Sequence, residues 1–245
     1  MGDTLLVFVF ALLTALATGL GALPFALFRE VSPRFVAYAG AVAAGLMLGA
    51  SFGLLAEGTE YGRGATLVGG LLGVAFILVT QRYLGEHDTA ELVFEAAGGE
   101  GARKMLLMVV VMTVHSFAEG AAVGVSFGGG ATLATVITVA IAIHNVPEGV
   151  AISAVLRPRG VSVARCAGWS IFSSLPQPLM AVPAFLFVEA FRAALPYGIG
   201  FAAGAMVYMV LVELLPEAYR FGDRAQVATL ATGSAIAMVL FQRWL

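Results

Sequence analysis

Two stretches of this chain carry the residues best suited to chemistry, "HSFAEG" from His115 and "HNVPEG" from His144. Each reads H-x-x-x-E-G. On a helix a spacing of four places both side chains on one face, so His115 lies beside Glu119 and His144 beside Glu148. A neutral imidazole offers a nitrogen lone pair, and a carboxylate offers oxygens and a negative charge. Two of each make a nitrogen–oxygen ligand set for a first-row divalent cation, Zn²⁺ above all, rather than Mg²⁺ or Ca²⁺.

The surroundings of these residues sharpen that reading. The chain has 245 residues, 60% hydrophobic and 11% charged, with a mean hydropathy of +0.95. Soluble domains are about a quarter charged, so this composition specifies an all-α integral membrane protein. A net charge of −2 argues against a nucleic-acid partner, and one cysteine, Cys166, leaves neither an internal disulfide nor a thiolate cluster. The first apolar stretch opens with Asp3 rather than a basic cluster and runs to Phe28. That exceeds a signal peptide's apolar region of roughly 7–15 residues, and it reads as a retained first helix.

A bilayer-crossing helix needs about 20 apolar residues. Eight segments qualify: Thr4–Phe28, Phe35–Glu57, Ala65–Leu84, Lys104–Phe127, Ala131–Leu156, Val161–Val188, Leu195–Tyr219 and Ala225–Arg243. They form a single transmembrane domain spanning 1–245, with an acidic loop at 85–103 expected to be mobile and cytoplasmic. If the N-terminus lies outside, the inner side holds Arg29, Arg34, Arg82, Arg103, Lys104, Arg157, Arg159, Arg165, Arg220 and Arg224. The outer side then holds Arg63, Arg192 and Arg243. Ten cations against three place both termini outside by the positive-inside rule.

Both motifs fall at the middle of their spans, the fourth and fifth. These are antiparallel neighbours, so their polar faces can meet. A carboxylate at mid-membrane costs at least about 2.5–3.5 kcal/mol on insertion scales, and two together repel. A divalent cation resolves both problems. Pro147 removes a hydrogen bond to the Ile143 carbonyl and predicts a kink beside the site. Span six adds Gln177 between two prolines, and Met47 near the middle of span two offers a soft thioether. Glu57 at the outer end of span two, and Glu213 and Glu217 toward the inner end of span seven, are candidates for the mouths of a pathway. Glycines four apart, as in Gly45/Gly49/Gly53 and Gly120/Gly124/Gly128, suit close helix packing.

Together, H-x-x-x-E-G in span four, "HNVPEG" in span five, the proline-flanked Gln177 and "GAMVYMVLVELLPEA" in span seven resemble the ZIP (Zrt-, Irt-like) metal transporters, nearest their GufA-like branch. The resemblance implies uptake of divalent metal, usually zinc, into the cytoplasm, with the metal as substrate and no cofactor. Fe²⁺, Mn²⁺ and Cd²⁺ are alternative substrates. It also implies a 3+2+3 helix arrangement with inverted pseudo-symmetry, an elevator-like movement, homodimers and a place in the cell membrane. By position, the main metal site is His115, Glu119, His144 and Glu148, with Met47 adjacent. A second site in relatives uses an asparagine, a polar residue and a glutamate where this chain has Ser116, Asn145 and Gln177. Only Asn145 matches, which predicts one tightly bound ion and a weakened second site. The competing reading is an intramembrane zinc-dependent hydrolase. It needs a general base beyond the metal ligands, for which Glu213 is the nearest candidate.

Overall fold

The computed structural model describes residues 2–28, 32–86 and 100–244. The regular structure of the described residues is entirely helical, as hydrocarbon requires of backbone that finds no water to bond. In chain order the helices are α1 (Gly2–Leu20), the short α2 (Pro24–Leu27), α3 (Pro33–Glu86), α4 (Glu100–Gly128) and α5 (Ala131–Leu156). There follow α6 (Val163–Ser174), α7 (Pro176–Ala190), α8 (Leu195–Met209), a π-helical turn at Val210–Leu214, α9 (Leu215–Phe221) and α10 (Arg224–Trp244). The loop expected at 85–103 falls mostly on residues 87–99, outside the described residues.

Local chemistry sets the ends of these elements. Pro33, Pro176 and Pro196 stand in the first turns of α3, α7 and α8, where a missing N–H costs nothing. The Ser162 and Asp223 side chains accept from Arg165 N (3.4 Å) and Gln226 N (3.1 Å) to cap α6 and α10. Helix α3 is broken at Gly62 (φ 166°, ψ 103°) into arms 33–61 and 63–86. Two of the expected spans are subdivided as well: the first at residues 21–23, and the sixth at Leu175, ahead of Pro176. Helix α5, by contrast, runs unbroken through Pro147, so the interruption of helix near the site lies in the sixth span rather than the fifth.

Six described stretches are long and apolar enough to cross a membrane, one of them 48 residues long and containing the Gly62 break. Large apolar side chains such as Leu67, Leu71, Phe172 and Leu240 point outward. The interior holds alanines with Met47, Ile137, Ile141, Met206 and Met209. Small residues bring the backbones together, and the register of these contacts gives the directions of the helices. Cβ atoms on Gly45 and Gly49 would strike the carbonyls of Ala231 and Ala235, and one on Gly53 the Gln242 side chain. Arm 33–61 and α10 therefore run parallel. The same logic makes arm 63–86 parallel to α8 (Gly69 on Tyr197, Gly73 on Phe201). Helices α4 and α7 are likewise parallel (Gly120 on Gln177, Gly124 on Ala181). Helices α1 and α5 are parallel too, through Asn145 on Thr14 and Gly149 on Thr18.

Candidate metal site

The site is built where α4 and α5 cross antiparallel. His115 Nε2 lies 2.9 Å from Glu148 Oε1, and His144 Nε2 lies 2.5 Å from Glu119 Oε1. Each histidine thus meets the glutamate of the other motif more closely than its own, since His115 Nε2 is 3.6 Å from Glu119 Oε1. All four residues are at most 2% exposed. Ligand atoms of His115, Glu119 and Glu148 lie within 4.8 Å of one another, close enough to share one ion, and His144 adjoins them through Glu119.

Several of these atoms are buried without a hydrogen-bond partner: both Glu148 oxygens, Nδ1 of both histidines, Ser116 Oγ and Asn145 Oδ1. The His115–Glu148 pair, although close, is not aligned as a hydrogen bond. Leaving such a group unsatisfied costs about 1–3 kcal/mol, more for a charged one. The unpartnered Glu148 oxygens lie with a His115 nitrogen and a Glu119 oxygen, an arrangement that suits a cation.

The glycine that ends each motif has a structural purpose. A Cβ on Gly120 would lie 2.4 Å from the Gln177 carbonyl, and one on Gly149 would lie 1.8 Å from the Thr18 carbonyl. Hydrogen at these positions lets α7 approach α4 beside Glu119, and α1 approach α5 beside Glu148. The approach delivers a polar chain. Gln177 Nε2 donates to Glu119 Oε2 at 2.6 Å. Gln177 Oε1 accepts from Thr14 Oγ1 at 2.5 Å and from Asn145 Nδ2 at 3.3 Å. Asn145 Nδ2 also donates to the Thr14 carbonyl at 2.8 Å. Below this chain Thr18 and Ser174 share a hydrogen bond of 2.8 Å.

Of the residues singled out in the sequence, His115, Glu119, His144, Glu148, Asn145 and Gln177 come together directly. Ser116 is buried beside them on α4. Met47 is fully buried in the main apolar cluster. Glu57 lines a cavity of about 550 Å³ with Glu60, Thr132, Gln242 and Arg243. Glu213 lies in the π-helical turn, and exposed Glu217 pairs loosely with Arg220 at 3.9 Å. Thr14 and Thr18 were not anticipated. Their signal is two threonines four apart in an otherwise apolar helix.

The buried His/Glu set on crossed helices has counterparts among known proteins. A family profile described as ZIP zinc transporter matches residues 95–241, more than half of the chain and inclusive of both motifs. The chain belongs to the ZIP family. It is 34% identical to the zinc transporter GufA of Myxococcus xanthus over 245 residues, covering 95% of this chain and 96% of that one. It is 32% identical to the zinc transporter ZupT of Corynebacterium aurimucosum, covering 95% and 94%. A protein of Arabidopsis thaliana, provisionally described as a zinc transporter, is 46% identical over 94% of this chain, which spans 37% of that relative's length. Membership and the apolar helices together make this ZIP protein a multi-pass membrane protein.

Proposed function

We propose that this ZIP protein carries divalent transition metal, foremost zinc, across the cell membrane into the cytoplasm. In this reading His115, Glu119, His144 and Glu148 bind the ion at mid-bilayer. The observation that carries it is the crossed pairing of two buried histidines with two buried glutamates. Two carboxylates neutralise one divalent ion, and two imidazoles complete a four-ligand set. The relatives bear zinc-transporter names, which supports zinc as the substrate.

Eight crossings with both termini outside agree with the helix directions. Parallel pairs joining spans one and five, two and eight, three and seven, and four and six each require an even step between partners. An inverted 3+2+3 repeat exchanges the first of these pairs with the fourth and the second with the third. Glycine-to-backbone contacts between helices fall inside two groups: α1, α4, α5, α6 and α7 in one, and both arms of α3, α8 and α10 in the other. Between the groups the described glycines meet side chains, as Gly198 does Val125. That division supports an elevator-like movement of the first group, which holds the site, against the second.

Glu57 and its cavity form the outer mouth, Glu213 and Glu217 mark the inner one, and Met47 lends a thioether as the ion passes. Ser116 and Gln177 leave the second site short of charge, so one ion binds tightly. Homodimers are the expected assembly. Uptake of radiolabelled Zn²⁺ into vesicles, wild type against Glu148→Ala, tests the site: the variant should lose uptake, and equal uptake by both would sink the assignment.

A further inference from the structure

The chain of hydrogen bonds from α1 to the site has a fixed sense. The Thr14 carbonyl only accepts, so the Asn145 group facing it at 2.8 Å is the NH₂. That NH₂ also faces Gln177 at 3.3 Å, so the nearer Gln177 atom is its oxygen. The Thr14 hydroxyl, 2.5 Å from the same oxygen, has one proton to share between Gln177 and the Ala11 carbonyl at 2.7 Å. With its oxygen so held, Gln177 turns its NH₂ toward Glu119 Oε2 at 2.6 Å. A donor on an ionised acceptor makes a strong, short bond. Thr14, Asn145, Gln177 and Glu119 are all fully buried, so water does not compete for these bonds.

One oxygen of Glu119 is therefore taken, and the other, Oε1, is the one that faces His144 and His115. The bond from Gln177 holds Oε2 away from the histidines and disfavours it as a second ligand, leaving Oε1 as the oxygen placed for an ion. Zinc takes four ligands in a tetrahedron and is content with one oxygen per carboxylate. Manganese favours six oxygen-rich positions, for which a carboxylate free to offer both oxygens is an advantage. We propose that Thr14, Asn145 and Gln177 form a specificity relay that holds Glu119 as a one-oxygen ligand and so favours small, four-coordinate Zn²⁺ over Mn²⁺. This rests on the metal-binding role of Glu119 proposed above. Thr14 and Gln177 act as positioning residues, through Glu119.

The test is equilibrium competition of Mn²⁺ against radiolabelled Zn²⁺ on the purified full chain in detergent. Thr14→Val keeps the shape of the side chain but removes the donor. A hydrogen bond of ordinary net strength corresponds to about a fivefold change in a binding ratio, so the Zn²⁺:Mn²⁺ preference should fall about fivefold. Thr14→Ser should restore it. Gln177→Met, which removes the group touching Glu119, should lower the preference by about tenfold or more, and it carries the test if Thr14→Val does not fold. A packing role for Thr14 would weaken both ions in proportion. An unchanged preference in both Thr14→Val and Gln177→Met, with zinc still bound, overturns the relay. Wild-type protein that binds no zinc would instead overturn the site itself.

Discussion

Gly149 is where the architecture can be tested by adding one carbon. A Cβ there would sit 1.8 Å from the Thr18 carbonyl oxygen, whereas ordinary contact begins near 3.4 Å. Neither partner can turn aside, because one is backbone and the other is attached directly to it. Gly149→Ala must then separate α1 from α5 by about 1.6 Å, the difference of those distances. Moved by the same amount, Asn145 Nδ2 and the Thr14 carbonyl go from 2.8 Å to about 4.4 Å, and the hydrogen bond is lost. Forced overpacking costs about 1–3 kcal/mol, and a hydrogen bond between membrane helices adds roughly 0.6–1.7 kcal/mol. The variant should therefore be about 2–5 kcal/mol less stable and bind zinc more weakly. Gly40 is the control: it is helical, and an added Cβ meets nothing within 4 Å. Gly40→Ala should be neutral or stabilised, by up to about 1 kcal/mol, because alanine is the better helix former. Thermal unfolding in detergent, with and without zinc, measures both. If Gly149→Ala melts with Gly40→Ala and binds zinc as the wild type does, the close approach of α1 to α5 is wrong.

Other expectations follow from the same geometry. Gln177→Glu supplies the charge that the second site lacks, and metal analysis of the purified variant should show zinc rising from one to two ions per chain; two ions on the wild type would contradict the one-ion reading. Imidazole binds metal only when deprotonated. Protons compete with the metal for these ligands, so zinc uptake should be weaker at about pH 5.5 than at about pH 7.5, and a flat profile would count against the His/Glu ligand set. Gly124→Val would drive its side chain into the Ala181 carbonyl, 2.1 Å from the added Cβ. It should lose folded protein on size-exclusion chromatography, with Gly168→Val, whose added Cβ meets nothing within 4 Å, as the tolerant comparison.

The heart of the site was legible because two short-range rules sufficed. A spacing of four fixes a helical face, and a short loop between spans fixes antiparallel neighbours, so His115–Glu148 and His144–Glu119 could be expected to meet. The glycine that closes each motif was assigned no partner, Gly120 being read only as general packing material. Its particular partners, Gln177 for Gly120 and Thr18 for Gly149, depend on helices far away in sequence. Thr14 escaped notice for the same reason: its bond to Gln177 spans 163 residues, and threonines in an apolar helix look like filler. Pro147 suggested a kink in the fifth span, and α5 passes through it as one continuous helix, while Leu175 before Pro176 marks a break in the sixth. Proline removes one hydrogen bond wherever it stands, but whether the helix then breaks depends on neighbours that a local pattern does not contain.

The parallel pairing of distant helices also dictates an order of assembly. Arm 33–61 emerges from the ribosome well before its partner: Gly45, Gly49 and Gly53 lie along one side, and the surface they fit belongs to α10, which begins only at Arg224. Until α10 arrives, that notched side lacks its mate, and arm 33–61 waits through the synthesis of all the helices between them. Domains generally fold from the N-terminus as they are made; here α10 closes a groove laid down many helices earlier. A chain that stops short of Arg224 thus lacks the surface that Gly45, Gly49 and Gly53 fit, and their side of arm 33–61 is left uncovered.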